Sequence, residues 1–243
     1  MNQRELIEQR RQQERRKKRL TYILIGAGVA LIIAAILIIP SLNLNQTNVA
    51  AGDINVPDLE ERPMADGSGL GDPDAPVVIK NYSDFACPHC ADFSSTTEKQ
   101  IIEEYVKSGD VYFEYHSVGN LLGSSASVQA AEAAYCAADQ GRFWGYHDLI
   151  FANQSSLFTD PSADISPTLN TFAEVLELDL EQFESCFEGG EYANRVQQDQ
   201  VEAQQAGVTG TPSFVINGRL LKGNVPFSNF QQVIEQELAN AGE

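Results

Sequence analysis

Apolar residues fall along this chain in three patterns. The first is an unbroken run: Leu20 to Ile39 is twenty residues without a charge, which at 1.5 Å per residue spans about 30 Å, the depth of a bilayer core. A transmembrane helix is predicted there. The second pattern is short and β-branched. Pro76 to Tyr82 and Val111 to Tyr115 read as strands, and Ser213–Ile216 and Arg219–Lys222 flank Asn217-Gly218, a strong hairpin signal. The third has helical spacing. Phe93, Ile101, Ile102, Tyr105 and Val106 recur on one side of a helix that follows the first strand. Val128, Ala131 and Tyr135 share a second face, and Leu169, Phe172 and Leu176 a third. A polar helix is expected from about Tyr192 to Ala206, and Phe230, Val233, Ile234 and Leu238 mark a closing amphipathic helix. Ser166-Pro167 reads as an N-cap followed by proline, and Asp179 with Gln182 as a capping box.

These patterns divide the chain into a tail at 1–19, an anchor at 20–39, a flexible linker at 40–70 rich in Asn, Asp, Gly and Pro, and one compact body at 71–243. The order β-α-β, helices, β-β, α gives an α/β class, a thioredoxin-like fold with an α-helical insertion at about 120–206, preceded by a single N-terminal transmembrane helix. Phe143, Trp144, Tyr146 and Leu149 are expected in the core, and His116 and His147 as satisfied polar residues. The sequons at Asn45, Asn81 and Asn153 are read as chance.

Charge changes the picture in two ways. Eight of the 16 Lys and Arg lie in residues 1–19, before the apolar run, so the positive-inside rule keeps the tail cytoplasmic and sends the body across the membrane. A cleaved signal peptide, with cutting near Val49-Ala50-Ala51, is the competing reading. Both place the body outside the cytosol. Beyond residue 19 the chain carries 8 basic and 31 acidic residues, a field that repels nucleic acid.

The cysteines are Cys87, Cys90, Cys136 and Cys186, an even set in a compartment where disulfides persist. Cys87-Pro88-His89-Cys90 follows the first strand and opens a helix, with Pro88 in the first turn, where a missing N–H costs little. A bare C-x-x-C is open to three readings: half a zinc site, a redox pair or inert thiols. No second knuckle accompanies it, so no metal is expected. As a redox pair, the spacing lets the two sulfurs meet across one helical turn, while the helix N-terminus and the imidazole of His89 favour an anion on Cys87. Cys87 is then the acidic, exposed thiol and Cys90 its buried partner.

The stretch Asp84-Phe85-Ala86-Cys87-Pro88-His89-Cys90, together with Gly207-Val208-Thr209-Gly210-Thr211-Pro212 before a hairpin, resembles the DsbA-like branch of the thioredoxin superfamily from about Gly71 onward. The resemblance implies that Cys87 is the nucleophile and Cys90 the resolving cysteine. It also implies a cis Thr211–Pro212 peptide facing the sulfurs, with the Thr211 backbone pairing with substrate as an added strand. It implies an oxidase acting on exported proteins with free cysteines, re-oxidised by a membrane quinone-linked thiol oxidase, with no cofactor. A tethered reductase or isomerase and a non-catalytic binding module stay open beside it. With Cys87 and Cys90 taken as the active pair, Cys136 and Cys186 remain, as a structural bridge, buried thiols or a second redox relay. The bridge is the expectation.

Overall fold

The computed structural model describes residues 54–59, 62–119, 121 and 123–242. The predicted anchor at 20–39, the basic tail, most of the linker and Asn45 lie outside these residues. Among the described residues no helix is long and apolar enough to cross a membrane.

The sheet is built from β1 (Gly69–Leu70), β2 (Val77–Ser83), β3 (Val111–Ser117), β4 (Ser213–Ile216) and β5 (Arg219–Lys222), in the order β1-β3-β2-β4-β5. β2 and β3 run parallel from Val77 opposite Val111 to Ser83 opposite Ser117, and the other neighbours are antiparallel. The crossover between the parallel pair is α1 (Pro88–Ser95) and α2 (Thr97–Ile101), continued by a π-helical turn at Ile102–Val106. In both parallel strands the buried side chains alternate, with Val77, Ile79, Val111, Phe113 and Tyr115 at 0% exposure. Asn217 and Gly218 join β4 to β5 at φ 44° and 87°, the left-handed pair that a type I′ hairpin needs.

Between β3 and β4 run α3 (Ser125–Ala138), α4 (Phe143–Ala152), α5 (Gln154–Leu157), α6 (Ser166–Val175), α7 (Leu180–Gly189) and α8 (Ala193–Gln205), and α9 (Phe227–Ala241) closes the chain. Two aromatic groups join helices to sheet. Phe93, Phe214 and Phe230 tie α1, β4 and α9 together at ring separations of 4.5–5.6 Å. Tyr115 meets Phe143 of α4 at 5.5 Å, and Phe85 meets Phe151 at 5.2 Å. Phe143, Trp144, Tyr146 and Leu149 are all buried. A disulfide between Cys136 and Cys186, Cα atoms 5.9 Å apart, joins α3 to α7.

The buried histidines are held by acids. His147 Nδ1 lies 2.9 Å from Asp148 Oδ1. His116 Nδ1 lies 3.0 Å from Asp199, a carboxylate on α8 that also accepts from the Tyr135 hydroxyl, the Ser117 N–H and Arg195 Nε. Burial alone would lower the His116 pKa, but its bonds to Asp199 and Glu114 outweigh that and raise it. Asn81 and Asn153 are 1% and 5% exposed.

Three local readings need correction. α6 is capped by Ile165 instead of Ser166; the Ser166 N–H is taken by the Asp164 carboxylate at 3.0 Å, and Pro167 falls in the second position. Asp179 does cap α7 by accepting from the Gln182 N–H at 3.1 Å. Its own N–H, however, goes to Gln140 Oε1 at 2.7 Å, so the reciprocal half of the box is replaced by a tie to the turn that follows α3. The folded body also begins before Gly71. Arg62 donates to Asp148 at 2.8 and 3.0 Å and to Glu98 at 3.4 Å, and its guanidinium sits 5.3 Å from the Trp144 ring centroid. Asn55 and Asn153 exchange two bonds of 2.8 Å. In the polar segment that reads as linker up to residue 70, residues 54–59 and 62–70 form a strap tied through Asn55 to the end of α4 and through Arg62 to α4 and α2.

Candidate active site

The loop between β2 and α1 is shaped by Asp84. Its carboxylate, fully buried, accepts from the Ala86 N–H at 2.8 Å and from the Ser127 hydroxyl, while its carbonyl accepts from the Cys87 N–H at 2.9 Å. This Asx turn reverses the chain so that Cys87 becomes the N-cap of α1, with Pro88 behind it. The Cys87 carbonyl then accepts the Cys90 and Ala91 N–H groups at 3.0 and 3.3 Å. Gln154, at the start of α5, crosses to this loop and donates to the carbonyls of Phe85 and Cys87 at 2.7 and 2.9 Å.

Cys87 and Cys90 are free thiols, 5% and 1% exposed. The exposed thiol expected at Cys87 is therefore covered. The cover comes from the far side, where the Thr211–Pro212 peptide is cis and the Cys87 thiol donates to the Thr211 carbonyl at 3.5 Å. Pro88 and His89 form the exposed rim.

The two thiols are pushed in opposite directions. A hydrogen bond from the Cys90 thiol, the Thr211 side chain and the backbone N–H groups of Cys90 and His89 together overcome burial and hold Cys87 at about 5. Burial, then the bond and charge of Cys87, push Cys90 well above the ordinary thiol value. His89 thus acts on the sulfur through its backbone. Thr211 Oγ1 is buried and has no other hydrogen-bond partner among the described residues. The two sulfurs thus differ in ionisation, Cys87 being the readier anion and Cys90 the proton-bearing partner.

Asp84 and Gln154 were not singled out from the sequence. Asp84 carries a signal, an Asp two residues before a backbone N–H after a strand. Gln154 carries none. For a metal, Asp139, Cys186 and Glu191 lie close enough together to share an ion, but the Cys186 sulfur is committed to its disulfide, leaving two exposed carboxylates.

Comparison with known proteins identifies the family and the fold. The profile of the family described as Thioredoxin matches residues 65–236. A probable disulfide bond formation protein D from Bacillus anthracis is 32% identical over 173 residues, 70% of this chain and 77% of that protein. The Na(+)/H(+) antiporter NhaA 3 of Salinispora tropica is 33% identical over 171 residues, but that stretch is only 24% of the antiporter's length. Among solved structures, oxidised BdbD from Bacillus subtilis superposes with a TM-score of 0.63 at 24% identity, covering 76% of this chain and 100% of that one. Wolbachia pipientis alpha-DsbA1 gives 0.63 at 22% identity, covering 74% and 94%. At these identities the two structures speak for the fold.

Proposed function

Since this chain belongs to the thioredoxin superfamily, in its DsbA-like branch, we propose that it is an extracytoplasmic thiol-disulfide oxidoreductase whose Cys87–Cys90 disulfide oxidises cysteine pairs in exported proteins. The observation that carries the direction is the opposed ionisation of the two sulfurs, Cys87 held at about 5 and Cys90 pushed up. A thiolate this comfortable stabilises the dithiol form by at most about 1.4 kcal/mol per unit of lowering, less what solvent screening removes. The disulfide form is correspondingly oxidising.

In turnover, a substrate thiolate attacks the Cys87 sulfur. The Cys87–Cys90 bond breaks, Cys90 leaves with the electron pair and takes up a proton, and a substrate–Cys87 disulfide forms. A second substrate thiolate then attacks the substrate sulfur of that bond and expels Cys87 as a thiolate. Two electrons pass from the substrate dithiol to the cysteine pair. The Thr211 backbone aligns the incoming peptide as an added strand, with Pro88, His89 and Pro212 around the sulfur. Re-oxidation falls to a membrane quinone-linked thiol oxidase, reached because the apolar Leu20–Ile39 run tethers the body outside the membrane with residues 1–19 inside. The occurrence of a similar stretch in a protein named as an antiporter supports a body that works beside a membrane.

The decisive experiment pairs a Cys90→Ala variant with a glutathione titration. Cys90→Ala is expected to accumulate mixed disulfides with exported proteins, and Cys87→Ala to lose both the adducts and the activity. A strongly reducing equilibrium with glutathione would convert the assignment to a reductase, and intact biological activity in Cys87→Ala would leave only a binding module.

A further inference from the structure

Gln154 and its neighbour Asn153 form a junction between α4 and α5 that touches both the catalytic loop and the N-terminal strap. The Gln154 amide gives its nitrogen to two carbonyls of one loop, Phe85 at 2.7 Å and Cys87 at 2.9 Å. This double donation fixes the amide orientation, since a flipped oxygen would face two acceptors. Asn153, 5% exposed, donates to the carbonyls of Leu149 and Asn55 at 2.8 Å each and accepts from the Asn55 N–H at 2.8 Å. The junction is therefore anchored on its own helix and on the strap while it grips the loop. Nothing in the chemistry of disulfide exchange calls for a glutamine here.

We propose that Gln154 is a positioning residue for the Cys87–Cys90 centre, holding the Phe85 and Cys87 carbonyls turned toward the helical insertion and away from the reacting sulfur. The physical reason is electrostatic. These carbonyls flank Cys87 along the chain, and an oxygen without a donor keeps its full negative end close to the site where a thiolate must form. The Cys87 carbonyl already receives the N–H groups of Cys90 and Ala91, so Gln154 adds a third donor to the peptide group that carries the cap. The Phe85 carbonyl belongs to a residue with no exposed surface, where a lost donor is costly. This inference rests on the redox reading of the pair, but its test needs no substrate.

The test compares Gln154→Met, which keeps the volume and removes the donors, with Gln154→Glu, which sets an acceptor against the two carbonyls. Gln198→Met on the exposed face of α8 is the control. The ionisation of Cys87 in the reduced protein is read from thiolate ultraviolet absorbance. The expected result is a fall of about tenfold in its ionisation constant in Gln154→Met, roughly what one lost hydrogen bond is worth. A larger fall is expected in Gln154→Glu and none in the control. The glutathione equilibrium should shift toward the disulfide by the same factor, about 30 mV for a two-electron couple. Ionisation within about twofold of the native protein in both variants, with or without a loss of thermal stability, would reduce Gln154 to packing and overturn the proposal. A native protein inert toward dithiols would overturn the functional reading instead, without touching this result.

Discussion

At the scale of single residues, the centre depends on which donors reach one sulfur. Thr211 supplies a buried side-chain oxygen with no other partner among the described residues, and it is one of the groups that hold Cys87 at about 5. Thr211→Val keeps the shape and removes that donor, so the Cys87 ionisation should move up toward the ordinary thiol value. The alkylation rate with iodoacetamide, followed against pH, reads this directly: the native profile should rise with a midpoint near 5, and the variant's should lie higher. The linkage has a definite sign. Because the folded value is depressed, the dithiol protein gains nothing from this group below pH about 5, gains progressively above it, and has the full contribution only above the ordinary thiol value near 9. The disulfide protein has no such term, so reduced minus oxidised stability should climb across that window, and in Thr211→Val the climb should begin at higher pH and end at a smaller total. A profile unchanged by the substitution would remove Thr211 from the centre. The cysteines themselves were legible in the sequence because spacing, the preceding strand and Pro88 all act within a few residues. The contributions of Thr211 and Gln154 were not legible as donors, because each reaches the loop from far along the chain.

At the scale of elements, what the sequence revealed and what it hid separate along the same line. Strands and helices with regular apolar spacing were legible, down to the Asn217-Gly218 turn, since periodicity is a local signal. The strap before β1 was misread as a tether because its composition is polar and its partners are remote: Arg62 reaches Asp148 across 86 positions. Besides the Asn55–Asn153 bonds, it is held by one guanidinium, 7% exposed, shared by Asp148 and the fully buried Glu98. Burial raises the Glu98 pKa, and the charges of His147 and Arg62 only partly offset that. Arg62→Met would fill the space beside Trp144 but leave the buried Glu98 and the partly buried Asp148 without that cation, a change that costs up to about 3–5 kcal/mol. Denaturant unfolding should register that loss. Arg62→Lys should recover only part of it, since a point charge cannot reproduce the fork held by Asp148 and Glu98. If Arg62→Met unfolds within about 0.5 kcal/mol of the native protein, the strap is a surface appendage and the early start of the body has no energetic meaning.

At the scale of the whole molecule, the acidic balance acts where no single contact does. Beyond residue 19 the chain carries a formal charge of −23, while the centre has to form and present an anion. These demands conflict in principle, and distance resolves them: the donors to Cys87 lie within bonding reach, whereas spread surface charge is screened beyond about 8 Å at physiological salt. The body's field should therefore leave the sulfur's ionisation nearly untouched and act instead on what approaches it. A cationic thiol is drawn in and an anionic one held off, an effect on encounter rate that falls with ionic strength. Cysteamine should thus reduce the Cys87–Cys90 disulfide faster, relative to glutathione, than their thiol chemistry alone dictates. That excess should shrink as salt is raised from about 0.01 M, where the screening length is about 30 Å, to about 1 M, where it is about 3 Å. Stopped-flow rates at fixed pH measure both limits. A rate ratio that stays level across this range would mean that the acidity serves solubility alone and that substrates are chosen entirely at the exposed rim formed by Pro88 and His89.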